Sequence, residues 1–245
     1  MPASAPLAAP TASGETAPAA GKPLLVFDLD GTLVDTLNDI TAAANRLLTS
    51  QKLAPITAAE VRPMIGDGVA VLVQRLLASR QQPPDAALER AYAADYAAHA
   101  AGTSALFDGM PELLERLRND GWQLAVCTNK PAAATQRLLE ALGISSLFGD
   151  AVGGGDSFPV RKPDPVHLLG TVSLAGGSPG RAVMLGDHRN DVDAAHGAGM
   201  PCIFAGWGFG SEEMAAGADA VAAHPRDVPD LARALLGTPR PLPTP

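Results

Sequence analysis

Apolar positions along the chain recur with two periods. Short continuous apolar runs stand at 24–27, 123–127, 151–152, 182–185 and 202–205, bounded by turn-forming or polar residues. Each reads as a buried strand of a parallel sheet. Elsewhere the spacing is helical: Ile40, Ala43, Ala44, Leu47 and Leu48; then Val69, Leu72, Val73, Leu76 and Leu77; then Leu88, Tyr92, Tyr96 and His99. Further helices are predicted over 111–119, with Pro111 suited to a first turn, over 132–142, near 166–172 and from about 191 to 198. No strand-like run lies between about 36 and 104, so a block of helices interrupts an otherwise alternating chain. The pattern predicts an α/β fold whose repeated βα units form a parallel sheet covered on both faces, with an all-α insertion. The expected boundaries are 22–35 together with 106–236 for the α/β core and 36–105 for the helical insertion. Residues 1–21, almost entirely Ala, Pro, Ser, Thr and Gly, are expected to be disordered, and 237–245 to form a Pro-rich tail.

Four of the predicted strands end in residues with chemistry. The first apolar run stops at Asp28-Leu29-Asp30-Gly31-Thr32, and strand alternation would put the two carboxylates on one side, where they need a cation. The second ends in Thr128-Asn129-Lys130, whose hydroxyl and amides suit a phosphoryl oxygen. Lys162 sits in a stiff segment between Arg161 and Pro163-Asp164-Pro165, and Gly186-Asp187 is followed by Asp191 at helical spacing. Each piece also has a plain reading: a turn, a helix cap, a solvated charge or a loop. Their occurrence together at successive strand ends favours one site, because open α/β sheets hold ligands there.

Charge and composition narrow the class. A net charge of −8 and the lack of any basic run argue against a nucleic-acid surface. No stretch approaches the roughly 18 apolar residues of a membrane span, and residues 1–21 lack the pattern of a secretory or mitochondrial leader. Cys127 and Cys202 both lie in strand-like apolar runs and fit free thiols in a reducing cytoplasm. No Gly-rich loop ends in Gly-Lys-Ser or Gly-Lys-Thr, which disfavours Walker-type nucleotide binding. Arg75, His99, Lys130 and Arg161 are candidates for holding a substrate carboxylate, while Tyr92 and Tyr96 read as packing residues.

Taken in order, Asp28-Leu29-Asp30-Gly31-Thr32, Thr128-Asn129, Lys162-Pro163 and Gly186-Asp187 with Asp191 resemble the four motifs of the haloacid dehalogenase superfamily, over about residues 22–235. Thr128-Asn129-Lys130-Pro131, Lys162-Pro163-Asp164-Pro165, the segment from Gly186 to Asp191 and Ile65-Gly66-Asp67-Gly68 are similar to its phosphoglycolate phosphatase branch. Related sugar-phosphate, pyrophosphate and nucleotide phosphatases share most of them. The resemblance implies a Rossmann-like parallel sheet core with an inserted α-helical cap, over residues 36–105, and a Mg²⁺-dependent phosphomonoester hydrolase working through an aspartyl-phosphate.

In that scheme Asp28 attacks phosphorus and Asp30 moves protons. Mg²⁺ is held by Asp28, Asp187 and the backbone carbonyl of Asp30. The phosphate is held by Lys162, Thr128 and the amides of Gly31 and Asn129, with Asp191 orienting Lys162 or a water. Asp30 favours phosphatase or phosphomutase over dehalogenase and ion pump, which lack an acid there. His188 departs from the serine common among close relatives. The implied substrate is a small phosphorylated metabolite, foremost 2-phosphoglycolate. The alternatives are another small ester such as a sugar phosphate, a β-phosphoglucomutase-like reaction, or a catalytically silent phosphate-binding protein. A monomer or homodimer in the cytoplasm, without nucleic-acid or membrane partners, completes the expectation.

Overall fold

The computed structural model describes residues 21–99 and 102–237, so the tails expected at the two ends lie almost wholly outside the described residues. The chain runs β1 (Leu24–Phe27), β2 (Val34–Asp35), α1 (Leu37–Ser50), α2 (Ala58–Val61), α3 (Val69–Ala78), α4 (Ala86–Ala98), β3 (Ala105–Leu106), α5 (Met110–Asn119) and β4 (Gln123–Cys127). It continues α6 (Ala132–Ala141), α7 (Ser145–Phe148), β5 (Val152–Gly153), α8 (Pro165–Leu174), β6 (Ala182–Gly186), α9 (Arg189–Gly197), β7 (Cys202–Ala205), β8 (Ala220–Ala222) and α10 (Val228–Gly237).

Six strands form one sheet in the order β5-β4-β1-β6-β7-β8, and every pairing in it is parallel. The period of two explains the burial: Leu25 and Phe27 of β1 join the core on one face, Leu24 and Val26 the core on the other. The same division holds for Val183 and Leu185 against Ala182 and Met184 of β6. The chain passes from β1 outward to β4 and β5, then returns to the other side of β1 as β6. The order therefore reverses at β1, and the crevice at the carboxyl ends of β4, β1 and β6 is the place such a sheet offers a ligand.

Four differences from the sequence expectation have local causes. The short strand β8 and the final helix α10 were not foreseen; β8 is only three residues long and its Val221 faces solvent. A two-stranded antiparallel ribbon pairs Val34 with Leu106 and Asp35 with Ala105, too short to leave a periodic signal. Helix α9 starts at Arg189, two residues earlier than expected. His188 caps it, its Nδ1 accepting the Asn190 N–H at 3.2 Å while Asp191 accepts the His188 N–H at 3.0 Å. Strand β1 also stops at Phe27, so its alternation does not extend to Asp28 and Asp30, and their side chains face different partners.

Helices α1 to α4 have a core of their own, built from Ile40, Leu48, Val61, Val73, Leu76 and Tyr92 with their neighbours. It meets the sheet-bound part at Ala134 of α6 and through Arg137, whose Nη1 donates to Ala97 O at 2.8 Å. The chain enters and leaves this helical segment through the β2/β3 ribbon. Just beyond it, the Asp39 carboxylate in the first turn of α1 accepts from the N–H and O–H groups of both Thr103 and Ser104, at 2.6 to 3.1 Å.

Burial pushes the Asp39 carboxyl up, but these hydrogen bonds outweigh it and hold it below its ordinary value of 3.8. Since the folded value is the lower one, the stabilisation is complete well above 3.8 and is lost as pH falls through the folded value. Asp39→Ala is expected to lower unfolding free energy by about 1–3 kcal/mol at neutral pH, because it strips four donors of their acceptor. In urea unfolding followed by circular dichroism, the gap between variant and wild type narrows as pH drops below 3.8.

Candidate active site

The crevice holds Asp28 just beyond β1, Lys162 in the loop before α8, and Asp187 and Asp191 on either side of the α9 N-terminus. The Lys162 ammonium donates to Asp191 Oδ1 at 2.6 Å and to Cys127 O at 2.6 Å, and stands 2.9 Å from Asp28 Oδ1. All four side chains are buried. The lysine backbone is also held: its N–H donates to His167 Nδ1 at 3.1 Å, and His167 Nε2 donates to Gly154 O at 3.0 Å. Burial, helped by the nearby Lys162 charge, pushes the His167 imidazole down to about 4, so it is neutral and keeps both roles.

One atom from each of Asp28, Asp187 and Asp191 falls within 4.8 Å of the others. Three buried carboxylates facing one ammonium leave negative charge uncompensated. Burial pushes Asp28 up to about 6 against the pull of Lys162, and burial with the charges of Asp28 and Asp191 pushes Asp187 up to about 7. Such a set suits a hard divalent cation, which prefers carboxylate and carbonyl oxygen. Asp191 already uses both oxygens, one on Lys162 and one on the His188 N–H.

Asp187 is gripped by a segment that sequence reasoning passed over. The loop after β7 reads Gly206-Trp207-Gly208-Phe209-Gly210. Its Phe209 and Gly210 amides donate to Asp187 Oδ2 at 2.7 and 3.2 Å, while Thr32 Oγ1 donates to Oδ1 at 2.9 Å. A side chain at Gly208 or Gly210 would collide with Asp187, so the loop can close on it only as glycine. The alternation of glycine with aromatics was the available signal. Arg62, following α2, donates Nε to Phe209 O at 3.1 Å and an Nη2 hydrogen to Gly208 O, tying the helical segment to the loop that holds Asp187.

Asp30 has a separate set of partners. Its carboxylate accepts from Thr36 Oγ1 at 2.7 Å and from Lys130 Nζ at 2.8 and 3.1 Å. Lys130 is itself buried and donates to Tyr96 Oη of α4 at 2.7 Å. Thus Tyr92 packs as expected, stacked 6.1 Å from Tyr96, whereas the Tyr96 hydroxyl reaches the crevice. Of the other carboxylate-binding candidates, Arg75 is paired with Asp67 at 2.6 Å, and His99 and Arg161 are exposed.

Thr128 and Asn129 lie at the end of β4 beside this cluster. Thr128 Oγ1 accepts the Lys130 N–H at 3.2 Å, and Asn129 Nδ2 bridges Gly66 O and Lys162 O, each at 2.9 Å. The same Gly66 O accepts from Asn190 Nδ2 at 3.3 Å, and a Cβ on Gly66 would stand 2.5 Å from the His188 ring. The helical segment is therefore seated directly on the crevice, and His188 forms part of its seat. Gly31 is the expectation the structure corrects: its N–H donates to Val34 O at 3.0 Å, closing the turn between β1 and β2, and is not a free donor. The amides of Leu29 and Asp30 have no acceptor among the described residues.

Among the described residues, no helix is long and apolar enough to cross a membrane. A phosphoglycolate phosphatase from Mesorhizobium japonicum is 38% identical over 192 residues, covering 77% of this chain and 84% of its own. The crystal structure of a predicted phosphoglycolate phosphatase from Haemophilus somnus 129PT superposes with a TM-score of 0.79 at 30% identity, over 86% of this chain and 97% of that one. A CbbY mutant from Rhodobacter sphaeroides in complex with xylulose-(1,5)bisphosphate gives a TM-score of 0.72 at 27% identity, over 85% and 96%. The family model for haloacid dehalogenase-like hydrolases matches residues 25–205, which contain every carboxylate and lysine of the crevice, and the chain belongs to that family.

Proposed function

We propose that this chain is a Mg²⁺-dependent phosphomonoesterase that hydrolyses 2-phosphoglycolate to glycolate and phosphate through an aspartyl-phosphate at Asp28. The observation that carries the reading is the buried Asp28 carboxylate, paired with Lys162 and packed against Asp187 where the sheet reverses. An anionic nucleophile can approach an anionic ester only where positive charge shields both.

Asp28 Oδ attacks phosphorus, the bond from phosphorus to the ester oxygen breaks, and Asp30 delivers a proton to the departing oxygen. Water then attacks the same phosphorus, Asp30 takes its proton, and the bond to Asp28 breaks. Lys162, oriented by Asp191, balances charge on one side of the transferring group. The Thr128 hydroxyl and the backbone amides of Asn129, Leu29 and Asp30 donate to its oxygens. Asp28, Asp187 and the Asp30 carbonyl would hold Mg²⁺, which when bound neutralises charge on the other side. The seated helical segment excludes water during transfer.

Two observations support the finer substrate assignment. Relatives named phosphoglycolate phosphatase are 37 to 41% identical to this chain. The chamber between Asp30 and the helices, which Asp28, Thr128 and Asn129 also line, is partly open and narrow, at about 50 Å³. That suits a two-carbon leaving group. A sugar phosphate is the second reading, favoured by the shared fold of the sugar-bisphosphate complex.

Asp28→Asn is nearly isosteric and should leave the fold intact while phosphate release from 2-phosphoglycolate falls by at least about 10³-fold. Activity near wild type in that variant would remove the nucleophile assignment. A chelator should abolish turnover and added Mg²⁺ restore it. At a Mg²⁺ concentration a hundredfold above its Kd, wild-type stability should rise by about 2.7 kcal/mol, a rise that Asp187→Asn loses in thermal melts.

A further inference from the structure

On the side formed by the helices, the chamber is lined mainly by apolar side chains. Ile40, Ile65, Val69, Leu72 and Tyr92 line it, and among the described residues Lys130 is the one cationic side chain in its wall. A leaving group that was merely small and apolar would have no use for a buried ammonium there, and burying a charge is costly unless something pairs with it. Its pairing is with Asp30, which the mechanism requires to turn to the ester oxygen, and with Tyr96 Oη. Tyr96 accepts from Lys130 and its own proton has no acceptor among the described residues. The ammonium lies 4.3 Å from the Tyr96 ring centre, so the two groups form one compact unit.

The geometry points to a carboxylate subsite: we infer that Lys130 Nζ and Tyr96 O–H bind the carboxylate of the substrate, which takes the place of Asp30 on the ammonium. The inference rests on the reading of the chain as a phosphatase of a small carboxylate-bearing ester. In such an ester the carboxylate sits on the carbon that carries the ester oxygen. A proton donor for that oxygen and a cation for that carboxylate must then be immediate neighbours, and Asp30 and Lys130 stand 2.8 Å apart. Without substrate, Lys130 and Thr36 hold the Asp30 carboxylate. When the substrate carboxylate reaches Lys130 it displaces Asp30, whose carboxylate takes up a proton from solvent and turns to the leaving oxygen. Specificity and assembly of the acid then come from the same exchange. Because Tyr96 belongs to α4, half of this subsite arrives with the helical segment.

The test compares 2-phosphoglycolate with ethyl phosphate, an ester of similar size without the carboxylate, in the Mg²⁺-loaded full chain. Wild type should favour 2-phosphoglycolate in kcat/KM. Lys130→Met should lower that preference by about 10²-fold, and Tyr96→Phe by about 10-fold, mostly through KM. Circular dichroism confirms that each variant is folded, and Tyr96→Phe serves if Lys130→Met is not. Equal losses on both esters, with the preference intact, would mean that Lys130 serves only Asp30 and would overturn the subsite. A wild type showing no preference for the carboxylate ester would instead overturn the substrate reading on which the subsite rests.

Discussion

The Lys162 ammonium, pinned among Cys127 O, Asp28 and Asp191, is the contact on which the crevice depends. Three carboxylates buried this close together repel one another, and burial together with that repulsion pushes Asp28 and Asp187 up. One lysine offsets part of that charge and fixes where the rest must be balanced. The parallel sheet supplies the rigidity: β4, β1 and β6 lie side by side and present their carboxyl ends at a common level. A slip by one residue would exchange Leu25 and Phe27 for Leu24 and Val26 between the two cores, so close packing on both faces holds the register. Geometry of the charged cluster is thus inherited from the packing of apolar strands.

Much of this was legible in the chain. Apolar runs halted by polar residues marked β1, β4, β6 and β7, and helical spacing marked the inserted helices α1, α3 and α4. Asp28, Asp187 and Asp191 could be grouped because each follows or adjoins such a run, and Lys162 through its stiff segment before Pro163. What stayed hidden depends on contacts far apart in sequence. The hold of Phe209 and Gly210 on Asp187, the pairing of Lys130 with Asp30 and Tyr96, and the His167 support behind Lys162 leave no local pattern. Histidine is not among the usual helix caps, which is why the start of α9 was misplaced. Gly31 was misassigned for a similar reason: its amide is engaged by Val34, in a turn whose closing bond is invisible in composition.

The helical segment is more than a cover. Arg62 reaches the loop that grips Asp187, Gly66 O is held by Asn129 and Asn190, and Tyr96 reaches Lys130 beside Asp30. Each contact joins it to a different member of the crevice. Seating these helices therefore places groups beside Asp187, beside Asn129 and beside Asp30 together. The Asp39 clamp, just inside the ribbon where the segment leaves and rejoins the core, keeps its two connections in register without crossing the site.

The claim that Asp28 is the attacking group is reached most directly by trapping. Excess Mg²⁺-loaded protein is mixed with 2-phosphoglycolate for less than one turnover, quenched in acid, digested and examined by mass spectrometry. A phosphoryl group on the peptide carrying Asp28, absent when the residue is asparagine, is the result this account predicts. Glycolate released with the phosphoryl group on any other residue would contradict it.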